Sequence, residues 1–349
     1  QLYIVDSTDF EEDQPMWKAL AATAALTATL TLPSLVVAQE TPASQKSLPE
    51  QLVDAFNGLF GVHPGMRANH PKGVVLEGTF TPAASASSVS KAAHLQKKKT
   101  PIPVTVRFSA GSGQPNVPDT SQMPRGMAVK FSLPDGSKAD LVVLSFNGFP
   151  VATAEEFRDF LLAVAASGPD APTPTAIEQF LGAHPAAKHF VESPKPQPVS
   201  YATLPYFGIN AFKFTNAKGA TTFGRYQLRP VASEHFLTQE QLATAEPDYL
   251  STEIRKRVRR GPAKFKLLLQ VAEKDDKIDD PTIVWPDTRK QIELGTITIT
   301  NAVADSQTAE KKLLFMPGAL VPGIEAADPM IAARSASYIV SLSRRSQAQ

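Results

Sequence analysis

Thirty of the 349 residues are proline, well above the roughly 5% of an average protein, and this sets the first limit on the fold. Proline fixes φ, lacks a backbone N–H and clashes with the preceding helical turn. Prolines scattered at this density exclude a helical bundle or a coiled coil and call for long connecting segments. Cysteine is absent, which removes disulfides, thiolate zinc sites, iron–sulfur clusters and thiol nucleophiles. Any metal chemistry must therefore use histidine, tyrosine, carboxylate or a bound cofactor. Lys and Arg number 35 against 34 Asp and Glu, a formal charge of +1, whereas a nucleic-acid binder is usually strongly basic. Hydrophobic residues make up 42% and charged residues 20%, so the chain can bury a core in one large or two ordinary domains.

The N-terminal text reads as export machinery. From Met16 a single lysine, an apolar stretch at 19–32 and the small residues up to Ala38 fit a secretory signal peptide better than a membrane span. Residues 1–15 carry Asp6, Asp9, Glu11, Glu12 and Asp13, the wrong charge for the start of such a signal. They are expected to be a non-native or misassigned leader, with translation starting at Met16. The expected organisation is a leader at 1–15, a signal peptide at 16–38 and a single domain at 39–349. The destination is the periplasm, with no stable membrane span after cleavage and no nucleic-acid partner. The alternative reading of 16–38 is a retained anchor.

Ser47 and Glu50 form a capping box for a first helix. The apolar period then changes to two, and strands are expected at 74–80, 104–109, 127–132, 140–144, 211–215, 221–228 and 294–300, with helices at 154–166, 175–190 and 239–246. Strands precede most of the helices, which indicates an α+β fold with a largely antiparallel sheet. Asp328-Pro329 supplies an N-cap and a first-turn proline for a final helix, which ends near the basic pair Arg344-Arg345.

Three constellations could carry chemistry. Arg334 and Tyr338 lie one turn apart on the final helix, and a tyrosine, which normally titrates near pH 10, needs a cation or a metal to be a phenolate at neutral pH. Alone, such a pair is more often a core-edge tyrosine packed beneath an arginine. His70, on a proline-flanked turn entering the strand at 74–80, could act as an acid–base, although a lone histidine there is more often structural. In the strand at 104–109 the alternation puts Thr105, Arg107 and Ser109 on one face, and an enclosed Arg107 would need an anion. The basic run Arg255, Lys256, Arg257, Arg259, Arg260 is the pattern of a solvated helix face.

In order along the chain, these segments resemble the haem-dependent catalase superfamily. Arg67-Ala68-Asn69-His70-Pro71-Lys72-Gly73 is similar to its distal-histidine segment, and Pro103-Val104-Thr105-Val106-Arg107-Phe108-Ser109 to the next core strand. Pro124-Arg125-Gly126-Met127-Ala128-Val129-Lys130-Phe131 resembles its third signature, and Arg334-Ser335-Ala336-Ser337-Tyr338 its proximal-ligand motif. Segment 206–214 and the export signal are closest to the small catalase-related peroxidases.

The resemblance implies an antiparallel β-barrel with flanking helices around a buried haem b. It also implies that Tyr338 is the axial iron ligand, with its charge stabilised by Arg334. His70 would move the peroxide proton, Ser109 would hydrogen-bond the His70 ring, and Arg67 and Arg107 would pair with the haem propionates. Phe157 completes the residues expected to contact the cofactor. The family's distal asparagine has no clean match: aligning on Pro150 puts Gly148 at its position, so Asn147 serves only if the loop shifts by one residue. The implied activity is reduction of hydrogen peroxide and small organic peroxides with an external small-molecule electron donor, and weak catalase activity. The rivals are a fatty-acid hydroperoxide isomerase and a non-enzymatic haem-binding protein.

Overall fold

Eight strands of alternating residues close on themselves. The computed structural model describes residues 46–347; the expected leader and signal peptide lie outside the described residues. In chain order the elements are α1 (Leu48–Phe60), β1 (Gly73–Pro82), α2 (Ala86–Val89), β2 (Ile102–Ala110), β3 (Arg125–Ser132), β4 (Lys138–Leu144), α3 (Ala154–Ala165), α4 (Ala176–Ala183) and α5 (Pro185–Glu192). There follow β5 (Tyr206–Phe207), β6 (Phe212–Thr215), β7 (Thr221–Pro230), α6 (Gln239–Ala243), α7 (Tyr249–Arg260), β8 (Ala263–Val271), β9 (Gln291–Ala302), α8 (Ser306–Lys312), β10 (Ile324–Ala326) and α9 (Met330–Gln347).

Strand pairing runs β5-β4-β3-β2-β1-β9-β8, and β7 joins β8 on one edge to β5 on the other, which closes an antiparallel barrel. The free half of β7 carries β6 and then β10 outside the ring. Closure leaves the eight strands without the exposed edges that invite further pairing. One face of each strand fills the interior: Val74, Leu76 and Phe80 from β1, Val104, Val106 and Phe108 from β2, Met127, Val129 and Phe131 from β3 belong to one buried cluster with residues of β8 and β9. Burying a side chain of this kind fully contributes about 1.5–3 kcal/mol. The ladder shifts register at Glu77/Gly78, where a Cβ on Gly78 would lie 2.2 Å from the Thr298 carbonyl oxygen, so only glycine fits.

The helices gather against the barrel as a layer in which α1 packs on both α3 and α9. The Ser47–Glu50 capping box forms as expected, and Thr153 with Glu156 makes another at the start of α3. Asp328 caps α9, its Oδ1 accepting the Met330 N–H at 2.9 Å. The helix expected over 175–190 is two helices, because Pro185 has no N–H to continue the ladder and the chain turns at His184 (φ −125°, ψ 85°). Three strands went unforeseen, the two-residue β5 among them. In β8 the alternation of Ala263, Phe265 and Leu267 runs into Leu267-Leu268-Leu269, an apolar run that fits either period. In β10 only three residues pair with β6, too few for any pattern. No helix among the described residues is long and apolar enough to cross a membrane.

Candidate active site

His70 lies on the turn that feeds β1, in a left-handed backbone conformation (φ 57°) that side-chain-bearing residues seldom adopt. Hydrogen bonds hold it there. Its N–H donates to the Ser112 carbonyl at 2.9 Å and to Asn69 Oδ1 at 3.0 Å, and its carbonyl accepts from Arg107 Nη2 at 2.8 Å. The ring Nδ1 is 3.1 Å from Ser109 Oγ, which the alternation of β2 turns to the same side as Arg107. Gly126 on β3 faces both: a Cβ there would lie 2.6 Å from Ser109 Oγ and 3.2 Å from His70 Nδ1. Enclosure strips solvent from the ring and Arg107 repels its charged form, which depresses the His70 pKa to about 3. The imidazole is therefore neutral at ordinary pH and able to accept a proton.

The same cavity, of about 200 Å³, is bounded by α9 through Arg334, Ser337, Tyr338, Ser341 and Arg345. Arg334 Nη2 donates to the Tyr338 hydroxyl oxygen at 3.3 Å, and its Nη1 donates to Asn210 Oδ1. Asn210 Nδ2 in turn donates to Asp328 Oδ2 at 2.7 Å, and burial raises the Asp328 pKa. An acid, an amide and a guanidinium thus form a line ending at the phenol.

A third group is cationic. Arg67 Nη1 and Arg107 Nη2 meet the same oxygen, Glu310 Oε2, at 3.0 and 2.8 Å, and Arg345 Nη2 donates to the Leu313 carbonyl at 2.7 Å. Burial, with Arg107 and Arg345 nearby, pushes the Arg67 pKa well below the usual arginine value, and burial lowers that of Arg345 to about 10. Three guanidiniums against one carboxylate leave two uncompensated positive charges on the cavity wall. The Nε atoms of Arg107 and Arg345 are buried without a partner, a state that buried polar groups rarely keep. Elsewhere the wall is apolar and aromatic, with Val53, Phe56, Val143, Phe149, Phe157 and Met330. An apolar plate carrying two carboxylates, with a metal that accepts a phenolate, fits this set, and haem has those features. Among the described residues there is no group of three or more His, Asp and Glu side chains placed to hold a metal ion.

Seven of the eight expected site residues, His70, Ser109, Arg67, Arg107, Arg334, Tyr338 and Phe157, line this one cavity. The eighth, Asn147, is not among the residues lining the cavity, whereas Phe149 is. Between them lies Gly148, at φ 143°. The anion that an enclosed Arg107 requires is supplied by the chain itself, in Glu310. Four further residues went unforeseen. Arg345 lies seven residues beyond Tyr338 and so on the same helix face, a signal that was present in the basic pair at 344–345. Glu310, Asn210 and Asp328 arrive from separate elements and carried no local signal as partners.

A family profile described as catalase matches residues 64–348. A catalase-related peroxidase of Mycolicibacterium paratuberculosis is 36% identical over 301 residues, covering 85% of this chain and 94% of its own length. A catalase-related peroxidase of Synechococcus elongatus is 34% identical over 307 residues, covering 86% and 89%. Catalase-2 of Bacillus subtilis is 29% identical, with 78% of this chain matched to 42% of that protein. Among solved structures, a fungal catalase superposes with a TM-score of 0.73 at 20% identity, covering 97% of this chain and 70% of its own.

Proposed function

The chain belongs to the catalase family and is an oxidoreductase acting on peroxide, and we propose that it works as a haem b peroxidase drawing electrons from an external small-molecule donor. The observation that carries this reading is the meeting, in one cavity, of a neutral buried imidazole, a phenol paired with a guanidinium, and two surplus positive charges. Haem held by the Tyr338 phenolate, with Arg67, Arg107 and Arg345 on its carboxylates, would supply a ferric centre able to take an oxygen atom from peroxide.

The protein side of the chemistry follows from the contacts. With Nδ1–H donated to Ser109 Oγ, the His70 Nε2 lone pair is left to take the proton from the peroxide oxygen that binds and to return it to the oxygen that leaves as water. Gly126 gives the ring and Ser109 the room to make this contact. Arg334 offsets negative charge on the Tyr338 oxygen, and the apolar wall of Val53, Phe56, Phe149 and Phe157 keeps bulk water away.

Phe149, and not Asn147, is among the residues lining the cavity after β4, and this supports reduction by a donor over disproportionation. Hydrogen peroxide and small organic peroxides are the proposed oxidants, and the setting is the periplasm, reached through the signal segment 16–38.

The test is reconstitution with haem b, followed by peroxide addition with and without a reducing dye. A ferric spectrum of phenolate character, rapid dye oxidation and slow oxygen release are expected. Haem uptake without dye oxidation would shift the reading to a haem carrier, and oxygen release outpacing dye oxidation would shift it to a catalase.

A further inference from the structure

We propose that Glu310 is a positioning residue whose carboxylate ties the cationic end of the cavity to the placement of His70. The proposal rests, for its haem-dependent part, on the cofactor reading given above.

The connection is continuous. Glu310 Oε2 accepts from Arg67 Nη1 at 3.0 Å and from Arg107 Nη2 at 2.8 Å. That same Arg107 Nη2 donates to the His70 carbonyl at 2.8 Å and to the Pro71 carbonyl at 3.3 Å. The bonded carbonyl belongs to the one residue of the site held at positive φ, 57°, a conformation that persists only where its surroundings over-determine it. Arg107 has no slack on its other side, since a Cβ on Gly73 would lie 2.4 Å from Nη2. The short helix α8 gathers all three arginines: its Glu310 side chain holds Arg67 and Arg107, and the Leu313 carbonyl just beyond it accepts from Arg67 at 2.8 Å and from Arg345 at 2.7 Å.

Charge acts in the same direction. Arg67 and Arg107 share one oxygen, so they are close enough to repel, and Glu310 is the only carboxylate in ion-pair contact with either of them among the described residues. Glu310 Oε2 occupies one side of the pair and leaves the remaining N–H groups for the two carboxylates of a bound haem. Removing its charge unbalances the pair, frees Arg107 from the His70 carbonyl and lets the strained turn relax, which moves the imidazole. One carboxylate therefore governs both cofactor retention and the placement of the base, though it lines neither the apolar wall nor the His70 pocket.

Glu310→Gln keeps the shape and removes the charge. In the haem-loaded chain it is expected to speed haem transfer to excess apomyoglobin by roughly 10-fold, and to slow binding of cyanide, whose proton His70 must accept, by a similar factor. In the haem-free chain the His70 Cε1–H resonance is expected to shift. Lys311→Gln, an exposed charge change on the same helix, should leave all three readouts at the parental values. Glu310→Asp keeps the charge on a shorter arm and is expected to lie between parent and Glu310→Gln; it carries the test if Glu310→Gln does not fold. Parental haem transfer, cyanide binding and His70 resonance in the Glu310 variants would overturn the proposal, as would Lys311→Gln reproducing their effects. Failure of the parent chain to take up haem is a separate result: it would sink the cofactor reading, while the His70 resonance still decides the coupling.

Discussion

His70 combines two properties that seldom meet in one residue, a strained backbone and a depressed pKa, and the second carries a prediction. With a pKa near 3, the ring is in its proton-accepting form throughout the range of about pH 5 to 8 where an ordinary histidine titrates. Peroxide turnover should therefore show no acid limb from this residue across that range; an inflection near pH 6.5 that disappears in a His70 variant would contradict the assignment. His70→Ala should lower peroxide turnover by about 100- to 10,000-fold with haem still bound, since its role is to move a proton and not to hold iron. Gly126 makes a subtler case. A methyl group there would sit 2.6 Å from Ser109 Oγ and 3.3 Å from His70 Cε1, so Gly126→Ala must push Ser109 off the imidazole. Turnover in Gly126→Ala should fall while the ferric spectrum, set from the α9 side, stays as in the parent.

At the scale of elements, α9 supplies the phenol, its guanidinium partner and Arg345, and α1 covers the cavity with Leu52, Val53 and Phe56. The two helices are linked by Arg344 and Asp54 at 2.6 Å, with both side chains about a third exposed. A pair exposed to that degree is screened, so the apolar contacts and not the ion pair hold α1 down. Asp54→Asn is expected to cost less than about 1 kcal/mol and to move Tm by no more than about 2 °C, which thermal melts would check. A drop of 10 °C would mean that the pair is what clamps α1.

The elements also show where sequence reading works and where it stops. Strands β1 to β4 were legible because their alternation matches the period of a half-buried strand, and the α9 start because Asp328-Pro329 is a local signal. The break at Pro185 was legible in principle, since a proline after His184 interrupts the helix whatever surrounds it. β10 and the Glu310 partnership were not legible, because their meaning exists only once β6 or Arg67 is beside them. Asn147 is a related case: which residue of a glycine turn faces a cavity depends on the backbone at Gly148 and not on residue type.

The barrel as a whole places a second histidine where no chemistry reaches it, and this shapes how the molecule responds to acid. His94 is 3% exposed, stacks on Phe131 with ring centroids 4.8 Å apart, and leaves its Nδ1 without a partner. Burial alone depresses its pKa to about 4. In the unfolded chain both His94 and His70 titrate near the ordinary value of 6.5, so between that pH and their folded values the unfolded state binds more protons. Stability then falls as pH falls. Each histidine contributes a slope approaching 1.4 kcal/mol per pH unit in the middle of its window. The loss begins below about pH 6.5 and levels off only below the folded pKa. Asp140 and Asp328 work in the opposite sense, because burial raises their pKa values and the folded state takes up their protons first. The total slope mixes these effects, but a single substitution separates one of them. His94→Leu removes a buried proton acceptor and keeps an apolar side chain against Phe80 and Phe131. Urea unfolding at a series of pH values from 7 down to 5 should show the variant losing less stability per pH unit than the parent, by about 1 kcal/mol per unit near pH 5. Equal slopes in the two proteins would mean that His94 is already protonated in the folded barrel, contrary to its burial among aromatic rings.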